Sequence, residues 1–439
     1  MIIKFMNLKR FFIATVLLFA AGNASAVLNI DITEGVEGAL PIAVIPFQWS
    51  GGPKLADADV SSIITSDLAR SGQFSPLPEK DMLSRPTSPS QIDFKTWRIA
   101  GIDHLVIGNV QRLKDGTYQV QFRLFDVLKG QQVLGYSFNA NDQSLRYVAH
   151  RISDYIIGKV TGLGPAFDTR IAYITSNRTV DNKTEYRLQV ADTDGFNSQT
   201  LLTSKQPIMS PAWSPDSTKI AYVSFESSKP AIYIHNISTG KREKVASYNG
   251  INGAPSWSPD GKQLAMTLSK DGNPDIYILN LQTKQLTRIT HHWSIDTEAT
   301  WMPDGKSLVF TSSRSGKPQI YQVELSNLTQ VKRLTFEGDY NASASVSPDG
   351  KVIAFVHGEG NIFRIAVLYL ETGVMQILTD GPEDESPDFA PNGSMVLYAS
   401  QVNGRGVLAA VSTDGRHKQR LVLSDGEVRE PSWAPVRKK

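Results

Sequence analysis

The chain has 439 residues, 41% of them hydrophobic and 20% charged, with a formal net charge of +2. That balance excludes wholesale disorder and lacks the basic excess of a broad nucleic-acid-binding surface. No cysteine is present, which removes disulfides, thiol catalysis, thiolate-held zinc, iron–sulfur clusters and a lipidated N-terminal Cys.

Residues 1–26 have the three parts of a secretory signal. Lys4, Lys9 and Arg10 form a basic start, 11–21 is apolar but for one Thr, and Asn23-Ala-Ser-Ala26 supplies the small residues of a cleavage site. The apolar run is short for a membrane span. Cleavage is expected between Ala26 and Val27, and no later stretch is long and apolar enough to cross a bilayer. The leader carries basic and no acidic residues, so the mature chain is close to neutral.

Residues 27–160 read as a small N-terminal α/β domain. Pro41 to Phe47 is a buried strand. Residues 57–70 place Val60, Ile63, Ile64 and Leu68 at helical spacing. A shorter helix is expected over 91–100, a strand over 102–110 and a hairpin, 117–127 and 131–138, around Lys129-Gly130. Residues 144–160 form a helix with Leu145, Val148, Ile152, Tyr155 and Ile156 on one face. Residues 161–169 then serve as a linker, opening with Thr161-Gly-Leu-Gly-Pro165.

From 170 onward one motif recurs. Its first copies are Pro211-Ala-Trp213-Ser-Pro215-Asp216, Pro255-Ser-Trp257-Ser-Pro259-Asp260-Gly261 and Ala299-Thr-Trp301-Met-Pro303-Asp304-Gly305. Worn copies centre on Val346, Phe389 and Trp433, and the spacings are 44, 44, 45, 43 and 44 residues. Pro suits the second position of a β-turn, Asp the third and Gly the fourth. Each turn precedes a short apolar strand, such as Ile220-Ala-Tyr-Val223 or Leu264-Ala-Met-Thr267, and two more strands follow. Four strands in about 44 residues, with no room for a helix, describe a β-propeller blade. Ile171-Ala-Tyr-Ile174 lacks an inner strand of its own, and Pro431 to Pro435 is an inner strand with no blade after it. The fold class is therefore multidomain α+β: the α/β domain, then an all-β six-bladed propeller over 170–439, closed by the C-terminal strand. The Trp, Phe and Val at the third motif position pack between blades.

Motifs for chemistry are missing. The chain has no Gly-x-Ser-x-Gly elbow, no phosphate-binding glycine loop and no His-Glu-x-x-His. Of the seven histidines only His291 and His292 adjoin, and neighbours on a strand or loop diverge. No catalytic residue, cofactor or metal is assigned. The loops leading into the inner strands are acidic, with Asp296, Glu298, Asp339, Glu383, Asp384, Glu385, Glu427 and Glu430 against few bases, chiefly Lys205 and Arg429. A rim of that kind attracts a cation or a basic partner surface.

Several segments resemble the TolB family, the periplasmic component of the Tol–Pal envelope system. They include Ile45-Pro-Phe-Gln-Trp49, Ala69-Arg-Ser-Gly72, Leu145-Arg-Tyr-Val-Ala-His150, Phe225-Glu-Ser227, Asn252-Gly-Ala-Pro255 and Val411-Ser-Thr-Asp-Gly415. The resemblance extends along the whole chain. It implies a non-enzymatic periplasmic adaptor. The propeller mouth would receive the lipoprotein Pal through Asn252, Gly253, Ala254, Thr297 and Glu298, with Glu298 as the anchor. The mature N-terminus, Val27, Leu28, Asn29, Ile30, Asp31 and Ile32, would engage TolA. Outer-membrane integrity, cell division and bacteriocin import follow from the same resemblance, as do contacts with other Tol-complex or outer-membrane proteins. Ile251 stands where the family often has His, and Val436 replaces the Asp of the last motif copy. Two other classes fit an exported propeller: a hydrolase, as in prolyl-oligopeptidase-like enzymes, and a glycan-binding propeller. The first needs a catalytic domain or a polar cluster in the channel, which the sequence does not display.

Overall fold

The computed structural model of the chain describes residues 29–34, 38–52, 55, 58–178, 181–422 and 426–437. The signal, the cleavage point between Ala26 and Val27, and Leu28 lie outside the described residues.

The α/β domain is one sheet with helices on both faces. Its strands are β2 (Leu40–Val44), β3 (Gln48–Ser50), β4 (Phe74–Pro76), β5 (His104–Arg112), β6 (Tyr118–Asp126) and β7 (Gln131–Ala140), β1 being the separate segment Asn29–Glu34. The order is β4-β2-β5-β6-β7, parallel around β2 and antiparallel from β5 onward, with β3 parallel to β5. Helices α1 (Val60–Arg70) and α3 (Leu145–Thr161) bury Ile63, Ile64, Leu68, Val148, Ile152 and Ile156 against one face. Helix α2 (Phe94–Ile99) lays Trp97 on the other. The parallel edge strand β4 was not anticipated. At three residues it carries no readable alternation, and its pairing with β2 is a long-range choice.

Six blades surround the channel. Their inner strands are Glu427–Trp433 in blade 1, Ile208–Trp213 in blade 2, Asn252–Trp257 in blade 3, Asp296–Trp301 in blade 4, Tyr340–Val346 in blade 5 and Glu385–Phe389 in blade 6. The C-terminal strand closes the ring: Glu427–Trp433 runs antiparallel to Arg170–Arg178, the second strand of blade 1. The motif turns form as expected, with the Gly261 N–H donating to Ser258 O at 2.8 Å and the Asp260 carboxylate accepting from Ser258 Oγ at 2.6 Å and Lys262 N at 3.0 Å. Gly261 sits at φ +71°, and a Cβ there would stand 3.7 Å from the Pro215 ring of the preceding blade, so the turns nest around the ring. The motif tryptophans bridge blades: the indole N–H of Trp213, Trp257 and Trp301 donates to Ser432 O, Ala212 O and Ser256 O of the previous inner strand.

The segment β1 lies elsewhere than expected. It pairs antiparallel with Lys418–Val422, the outer strand of blade 6, as a fifth strand. Residues 29–34 thus join the propeller rather than the α/β sheet, because the outer edge of a blade offers unpaired backbone groups that an extended segment satisfies.

The two domains meet through a buried charge cluster. His150 Nδ1 of α3 lies 2.8 Å from Asp67 Oδ2 of α1, and its Nε2 lies 3.5 Å from Asp194 of blade 1. Arg146 pairs with the same Asp194, and Arg70 both pairs with Asp67 and donates to Thr193 O at 3.0 Å. Asp154 accepts the backbone N–H groups of Ala166, Phe167 and Asp168, which fastens the linker to α3. These contacts use blade turns at the end of the channel opposite the loops that enter the inner strands.

Candidate functional site

Each inner strand contains a β-bulge, and at each bulge one residue has positive φ. The six are Ser210, Ala254, Glu298, Ser343, Ser386 and Glu430, with φ between 47° and 55°. All stand three residues before the motif aromatic position. The register of the inner strand shifts at this point in every blade. A left-handed residue is costly without a reason to hold it. Here it bends the strand where it starts to line the channel.

The channel opens into a cavity of about 590 Å³ lined by these bulges, with Glu298, Glu383, Asp384, Glu385, Asp388 and Glu430 on its wall and no Lys, Arg or His in its lining among the described residues. The expected excess of acids is present, but most are already engaged. Glu298 Oε2 accepts from Thr311 Oγ1 at 2.9 Å and from Ser343 N at 3.0 Å. Glu430 Oε2 accepts from Ser210 N. Asp388 accepts from Trp433 N at 2.7 Å and Ser345 Oγ at 3.1 Å. Burial, with the nearby charge of Glu385, pushes the Glu430 carboxyl up to about 7, and burial pushes Asp388 up to about 6. Burial also raises Glu385, against the opposing charge of Arg429 and with repulsion from Glu383.

Two acids placed on the rim by sequence are internal. Asp296 is fully buried and paired with Arg314 at 2.8 Å, and Asp384 is buried, accepting from Ser400 Oγ at 2.6 Å. Asp339 is paired with Lys317, and Glu427 with Arg429. Among the described residues no group of three or more His, Asp or Glu is placed to hold a metal ion.

The residues carried over for partner contact come together on adjacent blades, in roles the sequence did not reveal. Asn252 is 1% exposed and staples its own loop: Oδ1 accepts from Tyr248 N, and Nδ2 donates to Tyr248 O and Gly250 O. Gly253, Ala254 and Thr297 are half-buried. Thr297 Oγ1 lies 3.2 Å from Thr267 Oγ1. Glu298 is half-buried and braces the next blade through Oε2. Glu430, read from sequence as a peripheral rim charge, has the same role on the opposite side of the ring. Of the segment 27–32, the described part, 29–32, has its backbone paired with residues 419–422. The histidine and arginine motifs of 69–72 and 145–150 turned out to build the domain interface. No sequence signal marked them beyond the resemblance.

Comparison with known proteins agrees with this architecture. A TolB amino-terminal domain model matches residues 28–133, and a TolB beta propeller domain model matches 157–437. The Tol-Pal system protein TolB of Xanthomonas campestris pv. campestris strain B100 is 56% identical over 412 residues, 93% of both chains. That of Xanthomonas oryzae pv. oryzae strain MAFF 311018 is 57% identical over the same length. The crystal structure of TolB from Acinetobacter baumannii superposes with a TM-score of 0.86 at 44% identity, covering 93% of this chain and all of that one. With two domain models matched in order and relatives more than half identical along nearly its whole length, the chain belongs to the TolB family of Tol–Pal system proteins.

Proposed function

We propose that this chain is a periplasmic, non-enzymatic adaptor that seats Pal at the propeller mouth and engages TolA through residues 27–32. By linking those two partners it maintains the outer membrane, supports division and serves bacteriocins as a point of entry. The observation that carries the reading is the mouth itself. It is a cavity lined by acids, small side chains and the larger Met209, Tyr340 and Phe363, with no base in its lining among the described residues, on a ring whose six inner strands share one bulge. Such a surface suits recognition of a basic partner face. Ala254 and Glu298 line this cavity, and Asn252, Gly253 and Thr297 stand beside them on the same two inner strands, with the buried Asn252 holding its loop in shape.

TolA engagement has a structural condition. The backbone of β1 is already paired along one edge with blade 6, so TolA either adds to the free edge of β1 or displaces it.

Calorimetric titration with soluble Pal and with the C-terminal domain of TolA tests both halves. Deleting residues 27–32 should abolish TolA binding and leave Pal binding intact. Absence of Pal binding by the intact protein, or loss of both partners in the deletion variant, overturns the assignment.

A further inference from the structure

The rim of the mouth is two-sided. Large apolar side chains stand in water on three consecutive loops: Ile251 before the inner strand of blade 3 (47% exposed), Trp293 (81%) and Ile295 (51%) before that of blade 4, and Phe336 (71%) before that of blade 5. Single exposed apolar residues are ordinary, but four on successive loops of one rim form a patch. The loop and strand entering blade 6 carry Glu383 and Glu385 instead, both exposed. The rim therefore carries an apolar arc over blades 3 to 5 and an acidic loop at blade 6, while the side at blades 1 and 2 mixes Glu427 and Glu430 with Arg178, Arg405 and Arg429.

Two features single out the apolar arc. First, the side chains of Asn252 and Glu298 already serve the fold, Asn252 by holding its own loop and Glu298 through the two donors on Oε2. Second, the six blades repeat nearly the same backbone, with the same bulge in each. Contacts to backbone alone would let a partner dock in several rotations about the channel axis. A rim with one apolar arc and one acidic loop beside it removes that degeneracy.

On the footing that the mouth seats Pal, we propose that Trp293 and Phe336 are the recognition anchors, and that the docking face presents an apolar patch beside a Lys or Arg directed at Glu383 and Glu385, which sets a single rotation about the channel. Aromatic side chains are the usual carriers of interface energy, since they bury large area at low entropic cost. Arg429 shares a smaller cavity with the two carboxylates, but both stay exposed, and as a pair they complement a cation and steer its approach.

Titration of soluble Pal against three variants tests this. Trp293→Ala and Phe336→Ala should each weaken binding about tenfold or more, with unchanged melting and unchanged salt dependence. The double variant Glu383→Gln, Glu385→Gln should lose less affinity at high salt than at low, and flatten the salt dependence. Because the chain has no cysteine, spin labels on Lys317→Cys (blade 4) and Gln401→Cys (blade 6) report the rotation. The two labels should broaden different Pal residues. If the wild type binds Pal but both aromatic truncations bind as tightly, or if both labels broaden the same residues, the inference is overturned while the adaptor assignment stands. If the wild type does not bind Pal, the adaptor assignment fails and this inference with it.

Discussion

The Glu298 carboxylate on blade 4 accepts the backbone N–H of Ser343 on blade 5 at 3.0 Å, joining two residues that occupy the same left-handed bulge position in neighbouring blades. Glu430 of blade 1 makes the equivalent bond to Ser210 of blade 2. In a ring of six, blades 1 and 4 face each other. Two opposed carboxylates therefore brace the channel across blade boundaries where the strands bend.

Glu298→Ala should lower stability by about 0.5–1.5 kcal/mol, the net worth of one hydrogen bond, because the Ser343 N–H keeps a second acceptor in Thr311 Oγ1 at 3.2 Å. Glu298→Gln keeps an acceptor and should cost less. Thermal melting distinguishes them. Equal melting of the wild type and the Ala variant would mean that the bond contributes nothing.

Truncation after residue 425 removes the strand that pairs with Arg170–Arg178 and the Trp433 N–H held by Asp388. The buried Val428 and Ala434 go with it, Ile171 and Tyr173 lose the cover of Val428, and the inner edge of blade 1 is exposed. Burial of one large apolar side chain is worth about 1.5–3 kcal/mol, so the loss should be at least about 3 kcal/mol. A two-state melt at the wild-type temperature would show that the strand is a dispensable tail.

Glu430 gives a pH signature. Burial and Glu385 raise its carboxyl from the ordinary 4.5 to about 7. The folded state therefore binds a proton more tightly than the unfolded chain. Its contribution is fully present below 4.5 and is lost as the pH rises through about 7. Glu430→Gln lacks this ionisation, so its stability relative to the wild type should rise between those values. Urea titrations across the range check it, and parallel curves would refute the assignment.

His150 behaves in the same sense for a different reason. Burial lowers its basicity, but the Asp67 carboxylate, reinforced by Asp194, holds it above the ordinary 6.5 against the opposing Arg70. The stabilisation is complete below 6.5 and fades as the pH rises through the higher folded value. The same pair holds Asp67 below the usual carboxylate value, so Asp67 weakens the interface only in strong acid. His150→Gln should remove the alkaline decline. Denaturant midpoints from about pH 5 to about pH 9, compared between wild type and variant, decide it. A wild-type curve that is flat there would contradict the charged pairing.

Much of this protein is local chemistry. The Pro-Asp-Gly turn, the apolar strand after it and a period near 44 residues together imply six blades. The unmatched strand at each end implies closure between residues far apart in sequence, and the pairing of 427–433 with 170–178 follows that logic. The helices of the α/β domain are legible for the same reason, since a periodic apolar face is written within a dozen residues. The fate of each polar side chain at the mouth was decided only in three dimensions. Glu298 and Glu430 look like rim charges in a linear reading. They point across blade boundaries because a bulge 45 or 220 residues away presents a backbone N–H there. Asp296 disappears beneath Arg314, and His150 finds Asp67 across 83 residues. The N-terminal strand leaves its expected domain because an open blade edge lies within reach. Backbone conformation is set by neighbours in the chain, whereas the partner of a buried charge is set by whichever group the fold brings to it.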